Sequence, residues 1–269
     1  MLIFVFTGNN QETSTSEETI QETTTTTEAS LPASTTSELP ATTTQASLIE
    51  VSPEVGEVNW EQLARSIVLI SVTNCGGESW MGSGTIVLDG SYILTNWHVS
   101  GSGFCEMEVF GIDSIKDTPI FISYAESIPN AFDEGLDLSV IRLVDMNSRP
   151  ITATGRTPIE ISQEDIGLGT VIKVLGFPAM GGVTISMTTG EHSGWWEDTE
   201  NVFWTDEFYK TSAKMGPGVS GGAAFEAESG QFIGVPTGTP NAESDGDILG
   251  LVRPSRYALP LLEVAERAN

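Results

Sequence analysis

The stretch Gly216–Gly222, with the sequence GPGVSGG, is a glycine-rich loop that surrounds a single serine. Glycines allow backbone angles that a side chain would forbid, and they let another main chain approach closely. Backbone amides around Ser220, chiefly those of Gly218 and Ser220, can therefore point at one developing negative charge. A purely structural turn before a strand is the competing interpretation, so the segments upstream of the loop decide between the two.

Two upstream segments supply the partners that a reactive serine needs. They are Tyr92–Val99, YILTNWHV, and Gly135–Leu143, GLDLSVIRL. Together with the loop they place His98, Asp137 and Ser220 in one of the chain orders in which a Ser-His-Asp triad occurs. Imidazole titrates near neutral pH and can act as a general base. The competing interpretation is a buried structural histidine and a turn acid that precedes a strand.

Several segments resemble the trypsin-like serine proteases of the chymotrypsin fold, most closely the bacterial HtrA/Deg-type protease domain without a PDZ domain. The matching segments are GSGTIV at 82–87, LTNWHV at 94–99, LDLSV at 136–140, VLGFP at 174–178, KTSAKMGPGVSGG at 210–222 and FIGV at 232–235. The resemblance runs from about Ser66 to the C-terminus. Motifs that occur together in the right order are far more specific than any one of them alone.

The resemblance implies a role for each residue of the triad. Ser220 is the nucleophile, His98 is the base that takes its proton, and Asp137 orients the imidazole. The implied oxyanion hole consists of the amides of Gly218, Val219 and Ser220. The implied reaction is hydrolysis of a peptide bond through an acyl-enzyme, for which no metal or organic cofactor is expected. Val219 stands where the digestive branch has an acid, so we expect no activation by a newly formed N-terminus.

The resemblance also indicates a primary specificity pocket, formed by Lys214, Gly234, Val235, Pro236 and Thr237. A buried lysine at its base would favour acidic substrate side chains. The alternative is that the lysine stem lines the strand while the ammonium reaches solvent.

An aromatic segment precedes the serine loop. It contains His192, Trp195, Trp196, Phe203 and Trp204. We expect His192 at the surface or in a substrate subsite. The aromatic residues belong either to the core, which is their commoner fate, or to a docking surface for peptide substrates.

Composition divides the chain into two parts. Residues 1–57 contain no Lys or Arg and nine of the 37 acidic residues, and the segment 12–46 is dominated by Thr, Ser and Glu. We interpret 1–57 as a disordered stalk or linker. The remaining 28 acids and 11 bases give residues 58–269 a net charge of −17. This charge argues against a nucleic-acid partner and leaves a protein or peptide substrate.

A short helical lead-in is expected over 58–66. Short strands separated by Gly, Asp and Pro turns follow it, among them strands near 182–189 and 193–197, and they predict an all-β fold. We assign a first barrel to about 66–150 and a second to about 165–254, with a connector at 145–168. The resemblance implies that each is a six-stranded antiparallel barrel. Helical spacing predicts a C-terminal α-helix over about 255–268, packed on the second barrel.

Cys75 and Cys105 flank the hairpin that carries His98. A strand out and a strand back bring these ends together, so a disulfide is expected, with two free buried thiols as the alternative. A zinc site is disfavoured, because the chain has only two histidines and its two cysteines do not form a CxxC pair. The apolar segment Met1–Thr7 is too short to span a bilayer and lacks a basic start. It is either the end of a truncated export signal, the result of a start codon assigned too far downstream, or a frayed N-terminus. We expect an extracellular, periplasmic or surface-tethered protein.

The sequence thus predicts a secreted or tethered serine endopeptidase. Two other interpretations remain open. One is a catalytically silent peptide- or protein-binding module on the same fold. The other is a non-enzymatic surface β-protein on a Thr-rich stalk, which predicts that His98 and Ser220 lie far apart.

Overall fold

The structure is a computed structural model, and it describes residues 57–101, 105–153, 155–180, 182–196, 207–238 and 249–268. Within these ranges the chain forms twelve β-strands, three α-helices and one 3₁₀ turn. The strands pair antiparallel and close into two barrels of six. The expected all-β fold, with two six-stranded barrels and a C-terminal helix, is therefore confirmed.

The first barrel contains the strands β1 Ile67–Cys75, β2 Glu78–Val87, β3 Tyr92–Thr95, β4 Glu106–Gly111, β5 Ile120–Asp133 and β6 Leu138–Val144. Their order around the barrel is β1-β2-β3-β6-β5-β4. Alternating apolar side chains such as Val68, Ile70 and Ile141 fill its interior. The barrel thus has its own core, which leaves its ends free to carry functional loops.

The second barrel contains β7 Val171–Gly176, β8 Ser186–Trp196, β9 Phe208–Thr211, β10 Ala223–Glu226, β11 Phe232–Gly238 and β12 Gly250–Pro254. Their order around the barrel is β10-β11-β12-β9-β8-β7. Two predicted strands, near 182–189 and 193–197, form the single strand β8. The predicted break falls at 190–192, but these residues lie within the strand, whose register against β9 shifts between His192 and Gly194.

The first two helices lie at the ends of the first barrel's strands. Helix α1, Trp60–Ala64, was expected from the sequence, and its Trp60 ring packs edge-on against Phe225 at 6.1 Å. Helix α2, Trp97–Ser100, is a single turn that the sequence pattern did not predict. Among the described residues, no helix is both long and apolar enough to cross a bilayer.

The C-terminal helix α3, Leu259–Arg267, packs against β5 and β6 of the first barrel, so its predicted place on the second barrel was wrong. The 3₁₀ turn Ser255–Ala258 follows β12 and leads the chain into the helix. The buried residues of α3, Leu261, Leu262 and Ala265, join the central core that residues of both barrels form. The C-terminal helix therefore returns to the first barrel, which adjacency in sequence to β12 did not suggest.

The expected disulfide is confirmed. It joins Cys75, the last residue of β1, to Cys105, which directly precedes β4. A Cβ on Gly101, the residue that ends α2, would lie 3.0 Å from the Cys105 sulfur. The disulfide therefore packs against the end of the helix that carries His98.

Candidate active site

His98 is placed by the short helix α2. The Trp80 indole N–H donates to the carbonyl oxygen of Val99 at 2.9 Å, which ties the helix to β2. The His98 side chain is 25% exposed, so one edge of the imidazole faces solvent. The sequence LTNWHV thus ends a buried strand and presents a histidine at the barrel end.

Asp137 lies in the turn between β5 and β6, where it is buried with 2% exposure. Its φ of +53° is in the left-handed region, which aspartate tolerates better than most residues. Its amide donates to Glu134 O at 3.2 Å, and the Leu136 amide donates to Asp133 Oδ1 at 2.9 Å. The two neighbouring acids, Asp133 and Glu134, are exposed supports of the turn.

The Asp137 carboxylate contacts His98 at two points. Oδ2 lies 2.7 Å from the imidazole Nδ1, and Oδ1 accepts the backbone N–H of His98 at 2.9 Å. An ionised carboxylate can only accept, so Nδ1 carries the proton. The neutral ring then presents Nε2 as a proton acceptor, which is the tautomer that a general base requires.

The serine loop Gly216–Gly222 belongs to the second barrel but is fixed by β2 of the first. Ser83 N donates to Ser220 O at 2.8 Å, and Ser83 Oγ donates to Gly218 O at 2.7 Å. A Cβ on Gly221, whose φ is +84°, would lie 2.2 Å from Thr95 Oγ1 and 3.2 Å from Asn96 N. Gly221 therefore packs against Thr95 and Asn96, which lead into α2. The serine loop thus contacts the first barrel two residues before His98.

The amides of Gly218 and Ser220, like that of Gly216 at the start of the loop, have no acceptor within the described part of the chain. The Val219 amide, which the sequence included in the oxyanion hole, instead donates to Gly216 O at 3.2 Å. Pro217 O accepts from Ala179 N at 2.7 Å. The Gly218 N–H on the same trans peptide consequently points the opposite way. Of the three amides predicted for the oxyanion hole, those of Gly218 and Ser220 therefore have no acceptor among the described residues.

The hydroxyl of Ser220 donates to the carbonyl oxygen of Thr237 at 3.1 Å. Within the described residues, no hydrogen bond joins Ser220 Oγ to the His98 imidazole. The three predicted catalytic residues thus gather at the junction of the barrels, with Asp137 and His98 joined and Ser220 turned toward Thr237.

Asn96 connects these groups, and the sequence reasoning did not single it out. It is fully buried, and its Nδ2 donates to Asp137 O at 2.8 Å and to Thr237 Oγ1 at 3.1 Å. The same Thr237 accepts from Ser220 through its carbonyl. The only sequence signal was an asparagine between an apolar strand and the histidine, a position where a buried amide needs partners.

The residues predicted for the specificity pocket occupy different places. Lys214 is exposed, which favours the interpretation in which its ammonium reaches solvent. Val235 is fully buried in the central core, and Pro236 O accepts from Gly221 N at 2.9 Å. Gly234 is required by packing, because a Cβ there would lie 2.3 Å from Arg253 O. Of the residues predicted for the pocket, Thr237 contacts Ser220 through its carbonyl oxygen.

Met215 was missed from the sequence and lies next to Lys214. A Cβ on Gly250 would lie 2.7 Å from Met215 Cε, so the thioether packs against the first residue of β12. On the other side of the loop, Thr188 Oγ1 donates to Lys214 O at 2.8 Å. Met215 is therefore an apolar side chain next to the serine loop. The sequence analysis had considered the neighbouring Lys214, a cation, for this place.

His192 is 2% exposed, so the expected surface position was wrong. Its Nδ1 lies 3.0 Å from Gly167 O and its Nε2 lies 3.1 Å from Gly194 O. The ring packs edge-on against Tyr209 at 4.9 Å and against Trp195 at 5.7 Å. Trp195 is itself exposed, whereas Phe203 and Trp204 lie outside the described residues.

The described residues contain no cluster of three or more His, Cys, Asp or Glu side chains with the geometry of a metal site. The groups at the barrel junction are instead a serine hydroxyl, a carboxylate-bound imidazole and two available amides. Each has a place in acyl transfer by a nucleophilic serine.

Solved structures with the same fold include HtrA-type proteases. The HtrA-type protease AlgW with a tripeptide aligns with a TM-score of 0.60 and 24% identity over 75% of this chain and 60% of that one. The serine endoprotease from Yersinia pestis aligns with a TM-score of 0.56 and 24% identity, over 77% of this chain and 64% of that one. The chain thus spans less than two thirds of the length of these proteins. No curated protein sequence matches it.

The trypsin-like peptidase domain family matches residues 82–235. This range includes the His98, Asp137 and Ser220 segments and covers more than half of the chain. The chain therefore belongs to the trypsin-like peptidase domain family.

Proposed function

We propose that this protein is a serine endopeptidase that cleaves peptide bonds through an acyl-enzyme. The observation that carries the proposal is the double contact between Asp137 and His98, which leaves Nε2 of the imidazole as a proton acceptor. The family match supports a peptidase, and the catalytic role of each residue is our proposal.

In the proposed mechanism, Ser220 Oγ first rotates from Thr237 O toward His98 Nε2. It then attacks the substrate carbonyl carbon while its proton passes to Nε2, and the amides of Gly218 and Ser220 stabilise the oxyanion. Asp137 stabilises the resulting imidazolium without itself becoming protonated. His98 gives the proton to the leaving amine, and a water molecule activated by the same ring releases the acyl group from Ser220.

The substrate class that we propose is an extended peptide or unfolded protein segment. Active sites of this kind bind substrate backbone next to the nucleophile, and here the end of β11 at Thr237 and Gly238 lies beside Ser220. We propose that Met215 supplies apolar surface to the primary pocket, because it packs on Gly250 close to the serine loop. Exposed Lys214 then acts at the rim.

Domain organisation and location are also proposals. We propose that residues 58–269 form the peptidase domain and that 1–57 are a stalk or linker without a folded core. The Cys75–Cys105 disulfide supports an oxidising compartment, so we propose an extracellular, periplasmic or surface-tethered location. The strong negative charge supports a protein or peptide partner rather than nucleic acid.

One observation favours a second candidate, a binding module on the same fold. Ser220 Oγ is hydrogen-bonded to Thr237 O, and a serine held there permanently would not be activated. Catalytic hydrogen bonds in unliganded enzymes are often formed only when the substrate binds, so we rank the peptidase first.

The test is hydrolysis of an internally quenched peptide library, with the new termini identified by mass spectrometry. The wild type is compared with Ser220→Ala and with Ser193→Ala, a matched change at an exposed serine of β8. The proposal expects internal cleavage by the wild type and Ser193→Ala and none by Ser220→Ala. Binding of peptides without cleavage by any of the three would favour the binding module.

A further inference from the structure

Arg253 is a fully buried arginine on β12 of the second barrel. Its guanidinium lies 3.6 Å from the centroid of the Phe208 ring and 5.7 Å from that of Tyr257. Burying an arginine is unfavourable unless its donors are satisfied, so its partners indicate why it is there.

One of those partners is the turn that carries Asp137. Arg253 Nε donates to Leu136 O at 2.9 Å, across the junction between the barrels. The Leu136 carbonyl belongs to the same peptide group as the Asp137 amide, and that amide donates to Glu134 O. Both ends of the peptide group before the Asp137 Cα are therefore hydrogen-bonded.

The peptide group after the Asp137 Cα is also fixed, since Asn96 Nδ2 donates to Asp137 O. Asp137 has a positive φ, which costs energy and persists only where the surroundings over-determine it. Arg253 contributes a contact from the second barrel to this turn. The Asp137 carboxylate in turn binds the ring and the backbone N–H of His98.

A second partner extends the connection into the second barrel. Arg253 Nη1 donates to Glu207 O at 3.0 Å, at the residue that precedes β9. The planar guanidinium thus joins the Asp137 turn to the start of β9 in one rigid unit. A lysine ammonium has no such fork and cannot reproduce both bonds with the same geometry.

We propose that Arg253 is a positioning residue for Asp137, through which the second barrel holds the His98–Asp137 pair in its reactive geometry. The inference rests on the proposed peptidase function for its kinetic consequence. Its structural consequence, the geometry of the His98–Asp137 hydrogen bond, is independent of turnover.

The experiment compares Arg253→Met and Arg253→Lys with Arg256→Met. Arg256 is a matched control because it lies three residues away and forms ion pairs with Asp165 and Glu207 but makes no described contact with the Asp137 turn. Circular dichroism establishes which variants are folded at the assay temperature. Arg253→Lys keeps the charge and serves as the test if the methionine variant does not fold.

Two readouts separate positioning from general stability. The first readout is kcat and KM measured separately. In the folded Arg253 variants we expect kcat to fall about 10²-fold, because a small misplacement of a catalytic group has an effect of this size. We expect KM to change less than about threefold. The second is the low-field proton resonance of the His98 Nδ1–Asp137 hydrogen bond, recorded in a Ser220→Ala background. We expect it to shift or broaden in the Arg253 variants and to remain unchanged in Arg256→Met.

A folded Arg253 variant with wild-type kcat and an unchanged resonance would overturn the proposal, as would an equal loss in Arg256→Met. If the wild type hydrolyses no peptide but the resonance still changes only in the Arg253 variants, positioning is supported and the peptidase function fails. The two failures are therefore distinguishable.

Discussion

Asp137 holds His98 by both its ring and its backbone, since Oδ2 lies 2.7 Å from Nδ1 and Oδ1 accepts the His98 amide at 2.9 Å. A carboxylate bound at one point can pivot, whereas one bound at two points fixes the imidazole relative to its own helix. The tautomer and the orientation of the base are consequently set before any substrate arrives, which is the preorganisation that acyl transfer requires.

Replacing Asp137 with Asn should lower kcat by about 10⁴-fold, the loss known for the same change in the serine-protease triad. The Asn amide can donate to Nδ1, which would favour the tautomer with the proton on Nε2. Peptide hydrolysis measures the effect. Glu134→Gln, an exposed acid in the same turn, is the control and should retain activity within about twofold.

The serine loop should not tolerate a side chain at Gly221. Alanine there would have a φ of +84° and a Cβ 2.2 Å from Ser83 O, so both the backbone angle and the packing are unfavourable. We expect Gly221→Ala to lower the free energy of unfolding in urea by at least about 2 kcal/mol. Gly216→Ala, in the same loop with nothing within 4 Å of the new Cβ, should stay within about 0.5 kcal/mol of the wild type. Equal stabilities would mean that the loop does not pack against β2 as described.

The disulfide closes a loop with a sequence separation of 30 residues. Loop-closure entropy then gives about 3–4 kcal/mol of stabilisation. Urea unfolding with and without a thiol reductant should show a loss of this order in the wild type. The double variant Cys75→Ala/Cys105→Ala should already have the lower stability and should not respond to the reductant. A wild type that is indifferent to reduction would contradict the prediction.

Alkaline pH should destabilise the protein through Tyr209. Burial raises the pKa of Tyr209 above its usual value of 10.0, and its hydrogen bond to Asp165 raises it further. Between the unfolded and folded pKa values the unfolded state has lost a proton that the folded state keeps. The free energy of unfolding therefore falls as pH rises above about 10. Tyr209→Phe should make that fall shallower, whereas Tyr124→Phe, at an exposed tyrosine, should not.

The fold was predictable from sequence where motif and strand pattern agree. The segments around His98, Asp137 and Ser220 marked both barrels, and alternating apolar residues marked most strands. The C-terminal helix was predicted but assigned to the wrong barrel, because its packing depends on how the 3₁₀ turn after β12 directs the chain. Strand β8 was predicted as two strands, whereas the residues at the predicted break, Gly190 to His192, continue a single strand.

The site was predictable as a set of residue types but not as a hydrogen-bonding network. The engagement of Val219 N by Gly216 O, and the freedom of the Gly218 and Ser220 amides, depend on peptide orientations that no residue identity specifies. Asn96 and Arg253 both bond to the Asp137 turn, which is distant from them in sequence, so their residue types did not indicate these contacts. His192 resembled a surface residue, but its ring is buried, with one nitrogen close to the carbonyl oxygen of Gly167 and the other close to that of Gly194.

The central claim is that Ser220 is an activated nucleophile served by His98. The most direct measurement is covalent labelling by a fluorophosphonate probe, with the modified residue mapped by mass spectrometry. The account predicts one adduct, on Ser220, that disappears in Ser220→Ala and slows by several orders of magnitude in His98→Ala while both variants remain folded. A folded wild type that does not label, or one whose labelling rate is unchanged in His98→Ala, would contradict the account.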